Sequence, residues 1–596
     1  MLFVYLLNNT PFSCDALSAG CLHLTAILLF LLILQSYRET SVYTLTYIFP
    51  QKMNFDQILS AIGGFGRYQK TLYVWICLPQ ILLAFHMMVS IFTGSTPPHR
   101  CRDSSISVAG NQSSFPGTLS LNFSLLSESS CFSSDVLQQE DNRTERVPCG
   151  RGWVYSKETF QSTTVTEWDL VCDKAGLNSL SSSIYMFGLL VGSVLFGAMA
   201  DRYGRRFILL LSIALQTVFG VAVAFAPNFT VYVILRFIVG ATISGVIINA
   251  FVLGTEWTCT KRRMLAGITT DYAFGLGYML LPGIAYLIRD WRKLQLAISA
   301  PGFLLIFYIW VVPQSARWLL ANDRKEEAIA LLRKAALING RVLPPAVQVE
   351  KCQISGGGKQ SYSAVDLVRT PHMRKRSIIL FYIWFVNVLV YYGLSLGVSR
   401  LGTNLYLTQF MFGLVEIPAR SLVLLVLPFS RRLAQSGFLA VGGLACLLML
   451  AVPADHPSVL TGLAMVGKFG ITASFAVIYV YTAEIFPTVV RQTGIGVSGM
   501  FARIGGVLAP IINMLHDHSP NTPLVIFAIS PLLGAVLALA LPETADRPLP
   551  DTVEDAENWD TTSSPPNKEN PEISEDIIQS PSSTDKQELR RLASQA

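Results

Sequence analysis

From Met53 onward, long apolar runs alternate with short polar loops, and twelve of the runs are long enough, at roughly 17 to 25 residues each, to cross a bilayer as helices. They begin near Thr71, Ser179, Phe207, Thr230, Met264, Leu294, Ser377, Asn404, Ser436, Ser458, Thr493 and Pro523. A polar stretch from Gln314 to Arg376 follows the sixth run and divides the twelve into two sets of six. Within it Lys325, Glu326, Glu327, Leu331, Leu332, Arg333 and Lys334 predict short amphipathic helices lying against a membrane face. The pattern predicts an all-α membrane protein of twelve transmembrane helices. Its expected divisions are an atypical extension over 1–52, a first half over 53–313 containing a long loop at 94–176, a linker over 314–376, a second half over 377–541, and a tail over 542–596.

Charge sets the expected orientation. Arg202, Arg205 and Arg206; Lys261, Arg262 and Arg263; Arg374, Lys375 and Arg376; Arg431 and Arg432; and Arg491 all fall on one side of the predicted spans. Basic loops stay in the cytosol, so both termini are expected there. Arg289, Arg292 and Lys293 fall on the opposite side, and the sequence offers only a pairing with Asp290 to account for them. Only 14% of residues are charged and 51% are hydrophobic, against about 25% charged in soluble domains. The net charge of +6 comes from residues flanking apolar runs, not from one basic face, which argues against nucleic-acid binding. In the extension, the run from Cys21 to Leu34 is short for a span, and Met53 reads as an alternative start. The acidic, Pro- and Ser-rich tail is expected to be disordered.

The loop at 94–176 is rich in Ser, Asn and Cys and falls on the outer side. It holds the acceptor sequons at Asn111, Asn122 and Asn142, and four of the ten cysteines, Cys101, Cys131, Cys149 and Cys172. An even number of cysteines in an oxidising compartment predicts two disulfides, with three connectivities open. No cysteine or histidine pair stands at metal-ligand spacing, so no metal is expected.

The decapeptide Gly197-Ala-Met-Ala-Asp-Arg-Tyr-Gly-Arg-Arg206 lies between the second and third runs. It resembles the G-x-x-x-D-R-x-G-R-R loop of the major facilitator superfamily at every fixed position. The expected reading is that Gly197 and Gly204 let helix ends approach closely, Asp201 pairs or caps, and Arg202, Arg205 and Arg206 hold the loop on its side. Thr166-Glu-Trp-Asp-Leu-Val-Cys172, Pro313-Gln-Ser-Ala-Arg-Trp-Leu-Leu, Tyr481-Thr-Ala-Glu-Ile-Phe-Pro-Thr-Val-Val-Arg491 and Pro542-Glu-Thr are similar to strings of solute carrier family 22, the organic ion transporters. The resemblance runs from Met53 to about Thr552. It implies the major facilitator fold and a plasma-membrane carrier that is not an enzyme, holds no cofactor and has no catalytic residues. Glu256, Arg317, Glu484 and Arg491 stand at helix ends, where salt bridges between the halves are expected to act as gates. Gln314 departs from the family's glutamate, so one bridge is expected to be missing. The second half has only Pro428-Phe-Ser-Arg-Arg432 as an incomplete copy of the signature loop.

Two arginines bear on the substrate. Arg420 falls in the eighth run and Arg503 in the eleventh. A charge at mid-span costs about 2.5 to 3.5 kcal/mol on insertion scales, so it faces a cavity or a partner. One reading pairs Arg420 with Glu416, one turn away, and leaves Arg503 to helix packing; the other has both lining a central cavity and attracting an anion. The resemblance favours the second, because the organic anion branch carries cations at both positions. Tyr391-Tyr-Gly-Leu-Ser-Leu396, Tyr406-Leu-Thr-Gln-Phe410 and Arg491-Gln-Thr-Gly-Ile-Gly496 are most similar to the urate and nicotinate carriers of that branch. Tyr391, Tyr392, Tyr272, Phe274 and Trp384 are candidate ring contacts for a planar anion. His86 is a candidate through its match to the anion branch, Lys468 either pairs with an acid or adds positive field, and Asp271 is expected to neutralise a cavity arginine. Gly462-Leu-Ala-Met-Val-Gly-Lys468 lacks the Ser or Thr of a phosphate loop, so transport must run on gradients. An anion entering against an interior-negative potential of about 100 mV meets about 2.3 kcal/mol of opposition, which favours exchange for an internal counter-anion. A carnitine or zwitterion carrier or an organic cation carrier of the same family, and a non-transporting receptor or sensor, are the alternatives.

Overall fold

The computed structural model describes residues 52–53, 55–102, 131, 149, 152–259, 262–341, 348–349, 364–397, 403–453, 455–545, 547, 549–550 and 552–558. The extension before residue 52, the sequons at Asn111, Asn122 and Asn142, and the tail beyond residue 558 lie outside the described residues.

Eleven segments among the described residues are long and apolar enough to cross a membrane. With the 25-residue helix Arg263–Leu287, which falls between the fourth and the next of them, they make a series of twelve. The helices are α1 Arg67–Met88, α2 Ala175–Tyr203, α3 Arg205–Ala224, α4 Phe229–Glu256, α5 Arg263–Leu287, α6 Trp291–Ser299, α7 Pro371–Gly397, α8 Leu405–Val426, α9 Arg431–Ala451, α10 Pro457–Ile485, α11 Arg491–Met514 and α12 Thr522–Leu539. Alpha helices satisfy every backbone group internally, which is what a lipid environment demands. The sixth span departs from the expected single helix. Its α-helix stops at Ser299, just before Pro301 and Gly302, and continues as a 3-10 helix, Ala300–Phe307, then one α turn, Tyr308–Val311. Proline removes a backbone donor and glycine adds backbone freedom, so the ladder tightens there.

Within each half, small residues allow close helix contact. At Gly192 of α2 an added Cβ would stand 2.2 Å from the Ala241 carbonyl oxygen of α4. Between the halves, α5 runs along α8 and α2 along α11. The linker supplies the two amphipathic helices expected of it, Ala316–Ala321 and Lys325–Ile338; Asn339, just beyond the second, accepts from the Tyr68 N–H at 2.9 Å and ties the linker to α1.

The loop after α1 forms a small unit on one side of the membrane, the disulfide face. Strands β1 His99–Cys101 and β2 Trp153–Tyr155 pair antiparallel, and the bonds are Cys101–Cys149 and Cys131–Cys172, one of the three connectivities left open. Two of the three basic residues that broke the charge rule, Arg289 and Arg292, have their explanation here, while Lys293 makes its contact through its backbone N–H. Arg292 forms an ion pair with Glu167 and donates to the carbonyls of Ala224, at 2.6 Å, and Ala226, at 2.7 Å. Arg289 donates to the Glu158 carbonyl at 2.9 Å, and Asp290 accepts from the Lys293 N–H at 3.0 Å, capping α6. These charges staple the outer unit to the helix ends, a structural use that the charge rule does not anticipate. Asp290 alone is not their partner.

Candidate functional site

Glu416 and Arg420 stand one turn apart on α8, so both point to one face of that helix. Arg420 Nη2 lies 3.1 Å from Glu416 Oε2. Glu416 is wholly buried because three elements converge on it. The Tyr391 hydroxyl of α7 donates to it, and Lys468 of α10 stands 3.8 Å away. Lys468 is itself wholly buried, donates to Ser395 Oγ at 2.6 Å, and lies 3.0 Å from the centre of the Tyr391 ring. The side chain is therefore a partner inside the second half, the paired alternative of the two the sequence left open. A buried charge persists only when paired and hydrogen-bonded; each of these charges has an ion-pair partner and at least one hydrogen bond, although Glu416 Oε2 meets Arg420 as an ion pair without a hydrogen bond.

The first half meets this cluster through α5. Arg420 donates to the Asp271 backbone carbonyl, its Nε lies 3.9 Å from Asp271 Oδ2, and the Tyr272 hydroxyl meets Ser421 Oγ at 2.7 Å. Asp271 keeps 47% of its side chain exposed, whereas Arg420 keeps 6%. Two carboxylates thus balance Arg420 and Lys468. Arg420 pairs with Glu416, as one of the two readings had it, and its side chain also faces the interface between the halves.

Arg503 differs. On α11 it donates to the Gly499 carbonyl of its own helix at 2.9 Å, and among the described residues no carboxylate lies within ion-pair distance of it. Tyr479 of α10, 40% exposed, lies in the electrostatic field of Arg503, Arg420 and Asp271. The sequence reading missed Tyr479; its position two residues before Tyr481 in the family string gave no sign of which face it takes.

The other candidates divide. Tyr392 crosses the interface, its hydroxyl 3.9 Å from the Met87 sulfur of α1, and its ring packs edge-on against Tyr391. Phe274 is half-buried on α5, one turn along from Asp271 and Tyr272. Trp384 is 1% exposed; it donates to Thr482 Oγ1 at 2.9 Å and packs edge-on against Tyr479, so it supports that ring. His86 does not join the cluster. It is 1% exposed and faces α3 and α6, in a small cavity lined by Gln216, Thr217 and Ser299, while its carbonyl accepts from Arg236 at 3.4 Å. Its position on α1 turns it into the first half.

On the disulfide face the halves meet through Tyr406, at the start of α8. Its ring stacks on Phe92 at 5.6 Å, packs against Phe160 and Tyr286, and its hydroxyl donates to the Thr159 carbonyl at 3.2 Å. Sequence reasoning used Tyr406 only as part of a string and missed this contact.

The Sugar (and other) transporter family model matches residues 131–555. The chain is 39% identical over 517 residues to human solute carrier family 22 member 13, covering 84% of this chain and 93% of the relative. It is 36% identical over 531 residues to human organic anion transporter 3, covering 87% and 96%. It is also 38% identical over 525 residues to a protein of Drosophila melanogaster named organic cation transporter protein, covering 85% and 95%. The chain belongs to solute carrier family 22. The inward-open xylose transporter XylE of E. coli shares the fold, with a TM-score of 0.55 at 16% identity over 82% of this chain and 99% of that one. The protein is therefore a multi-pass organic ion transporter of the major facilitator fold, and not an enzyme.

The family's signature loop lies on the face opposite the disulfides, the basic face. Arg205 pairs with Asp201 at 2.5 Å and reaches Glu256, at the end of α4, at 3.7 Å. Gly204, at φ +95°, makes the turn that side chains avoid. Arg202 lies over the Tyr203 ring, and the Arg206 guanidinium donates to the Ile309 carbonyl. Gly197 has a different place from the one expected, since a Cβ there would meet nothing within 4 Å. Gln314 replaces the family's glutamate without leaving a gap. Its side-chain oxygen accepts from the N–H groups of Arg206, at 3.1 Å, and Ser315, at 3.2 Å, capping an α3 whose own N-cap glycine has no side chain. Two ion pairs formed at these helix ends stay within one half, Arg205–Glu256 in the first and Arg431–Glu484, at 3.2 Å, in the second. Arg317 pairs with Asp56, at 3.6 Å, and Arg491 Nε donates to the Phe486 carbonyl at 3.1 Å. These residues lock helix corners inside each half.

Proposed function

We propose that this transporter carries small organic anions, with urate, nicotinate and related carboxylates as the substrate class, across the plasma membrane in exchange for an internal anion, with both termini in the cytosol. The observation that carries this reading is Arg503, half-way along its span and without a carboxylate partner among the described residues; Arg420 and Lys468 are balanced by Glu416 and Asp271, and Arg236, a further buried cation within a span, is turned to the His86 carbonyl and the Tyr185 ring inside the first half. Tyr479, 40% exposed, is electrostatically coupled to this positive charge, so a carboxylate would take the guanidinium and a planar ring could stack on an aromatic such as this one. The halves rock about this level, and the anion binds between them. The test is uptake of labelled urate and nicotinate into expressing cells, with and without a preloaded dicarboxylate. Saturable uptake that rises on preloading supports the reading; absence of uptake of both, at normal surface level, contradicts it.

The exposed carboxylate of Asp271 beside Arg420 favours one second reading, a zwitterion such as carnitine with its ammonium on Asp271. Strong competition by carnitine at the labelled-anion site separates the two.

A further inference from the structure

We propose that Asp271 is a built-in stand-in for the anionic substrate: in the empty carrier it holds Arg420 across the interface between the halves, and an incoming carboxylate takes its place. The inference rests on the anion reading above and adds a latch to it.

Arg420 has two carboxylate partners of unequal permanence. Glu416 shares its helix, is wholly buried and is also held by Tyr391 and Lys468, so displacing it would strand two buried cations. Asp271 belongs to the other half, stands 3.9 Å away and is 47% exposed. It is the partner that a solute arriving through the cavity can replace. A guanidinium accepts a carboxylate from a side chain or from a substrate with the same geometry, so the two compete for one site.

The placement makes the contact a latch. Asp271 lies in the first third of α5 counted from the basic face, and Arg420 in the last third of α8, which runs the other way. The Tyr272–Ser421 hydrogen bond lies in the same layer. Arg503 stands half-way along α11, deeper in the membrane. The contact therefore closes the path between Arg503 and the basic face, which is cytosolic in the proposed orientation. While Asp271 holds Arg420 the halves stay joined there. An anion that passes from Arg503 to Arg420 on its way to the basic face frees Asp271 and lets the path open. A carrier that opens readily only when loaded returns readily only when loaded, which is exchange. A ligand shifts such an equilibrium by its differential affinity for the two states, and here the differential term is Arg420 itself.

The test reads the latch without relying on transport. In Gly275→Cys, the new Cβ stands 3.6 Å from Glu416 and 3.7 Å from Arg420, in ordinary contact one turn above the latch. Its labelling by a membrane-impermeant maleimide is followed in inside-out vesicles, with labelling of the parent chain subtracted. In buffer free of organic anions, Asp271→Asn is expected to speed labelling several-fold, while Asp271→Glu stays near the Gly275→Cys rate. Gel filtration of the detergent-extracted protein shows that each variant is folded. Nicotinate or urate added to the Gly275→Cys protein is expected to speed labelling as Asp271→Asn does. An unchanged rate in a folded Asp271→Asn protein overturns the latch. Acceleration by Asp271→Asn, with nicotinate and urate both without effect, keeps the latch and removes the anion reading on which the substrate's part in it depends.

Discussion

The two halves of this carrier are alike at their basic-face corners and unlike at the surfaces they turn to each other. In the first half Arg205, at the start of α3, pairs with Glu256 at the end of α4; in the second, Arg431 at the start of α9 pairs with Glu484 at the end of α10. In each half a residue just after the sixth span caps the third helix. Gln314 accepts from the Arg206 N–H, and Glu543 accepts from the N–H groups of Arg431 and Arg432. The strings Pro313-Gln-Ser and Pro542-Glu-Thr are the repeat that supplies these caps. At the cavity the likeness ends. The second half brings Glu416, Arg420, Lys468 and Arg503, and the first half answers with Asp271. The corner pairs and caps repeat in both halves, while the buried charge where the halves meet is concentrated in the second.

Removing the centre of that charge has the largest expected effect. Glu416→Gln leaves Lys468 and Arg420 without their shared carboxylate, and breaking a buried pair from one side costs about 3 to 5 kcal/mol. The purified variant is expected to show a lower thermal midpoint and a lower surface level than wild type; equal midpoints would mean that Glu416 is not the anchor. A smaller effect comes from the corner pairs. Both have side chains less than one-fifth exposed, so Glu256→Gln and Glu484→Gln are each expected to cost about 1 kcal/mol and to lower the midpoint by similar amounts. Unequal losses would show that the corners are only superficially alike.

The caps give the finest comparison. Burial pushes the Glu543 carboxyl up, but hydrogen bonds from Ser430 and from the backbone N–H groups of Ala545, Arg431 and Thr544 outweigh it and hold the group below its ordinary value of 4.5. A depressed value in the folded protein means that its contribution is complete above pH 4.5 and is lost as pH falls through the lower, folded value. Glu543→Gln is expected to remove that acid sensitivity and to cost about 1 kcal/mol at neutral pH. Gln314→Glu is expected to do the reverse in the first half. It retains the acceptor, adds charge at a helix N-terminus worth about 0.3 to 1 kcal/mol, and introduces an acid-sensitive stability term. Thermal midpoints from pH 7 down to pH 4 check both variants.

The periodic apolar runs made the helices and the basic loops legible, because span length and loop charge are local properties of the chain. Side-chain direction was not. His86, Lys468 and Trp384 lie in the predicted spans, yet a quarter-turn of helix phase decides whether each meets the interface or its own half, and the apolar residues around them gave no stripe from which to read it. Tyr479 and Tyr406 were missed for the same reason: one packs on Trp384 of α7 and the other closes the disulfide face, through contacts with segments far away in sequence. The break of the sixth span was written in Pro301-Gly302 and was passed over. The cysteine pairing and the roles of Arg289 and Arg292 needed the folded outer unit. Gln314 misled in the opposite direction, since a lost charge suggested a lost contact while the amide oxygen still caps α3.

The central claim is that Arg503, which has no carboxylate partner among the described residues, binds the organic anion, and uptake of labelled nicotinate by Arg503→Asp and Arg503→Lys, at matched surface levels, tests it most directly. The account predicts that Asp abolishes saturable uptake and Lys retains a measurable share of it, with the loss confined to anions. Nicotinate uptake by Arg503→Asp at the wild-type rate would contradict it.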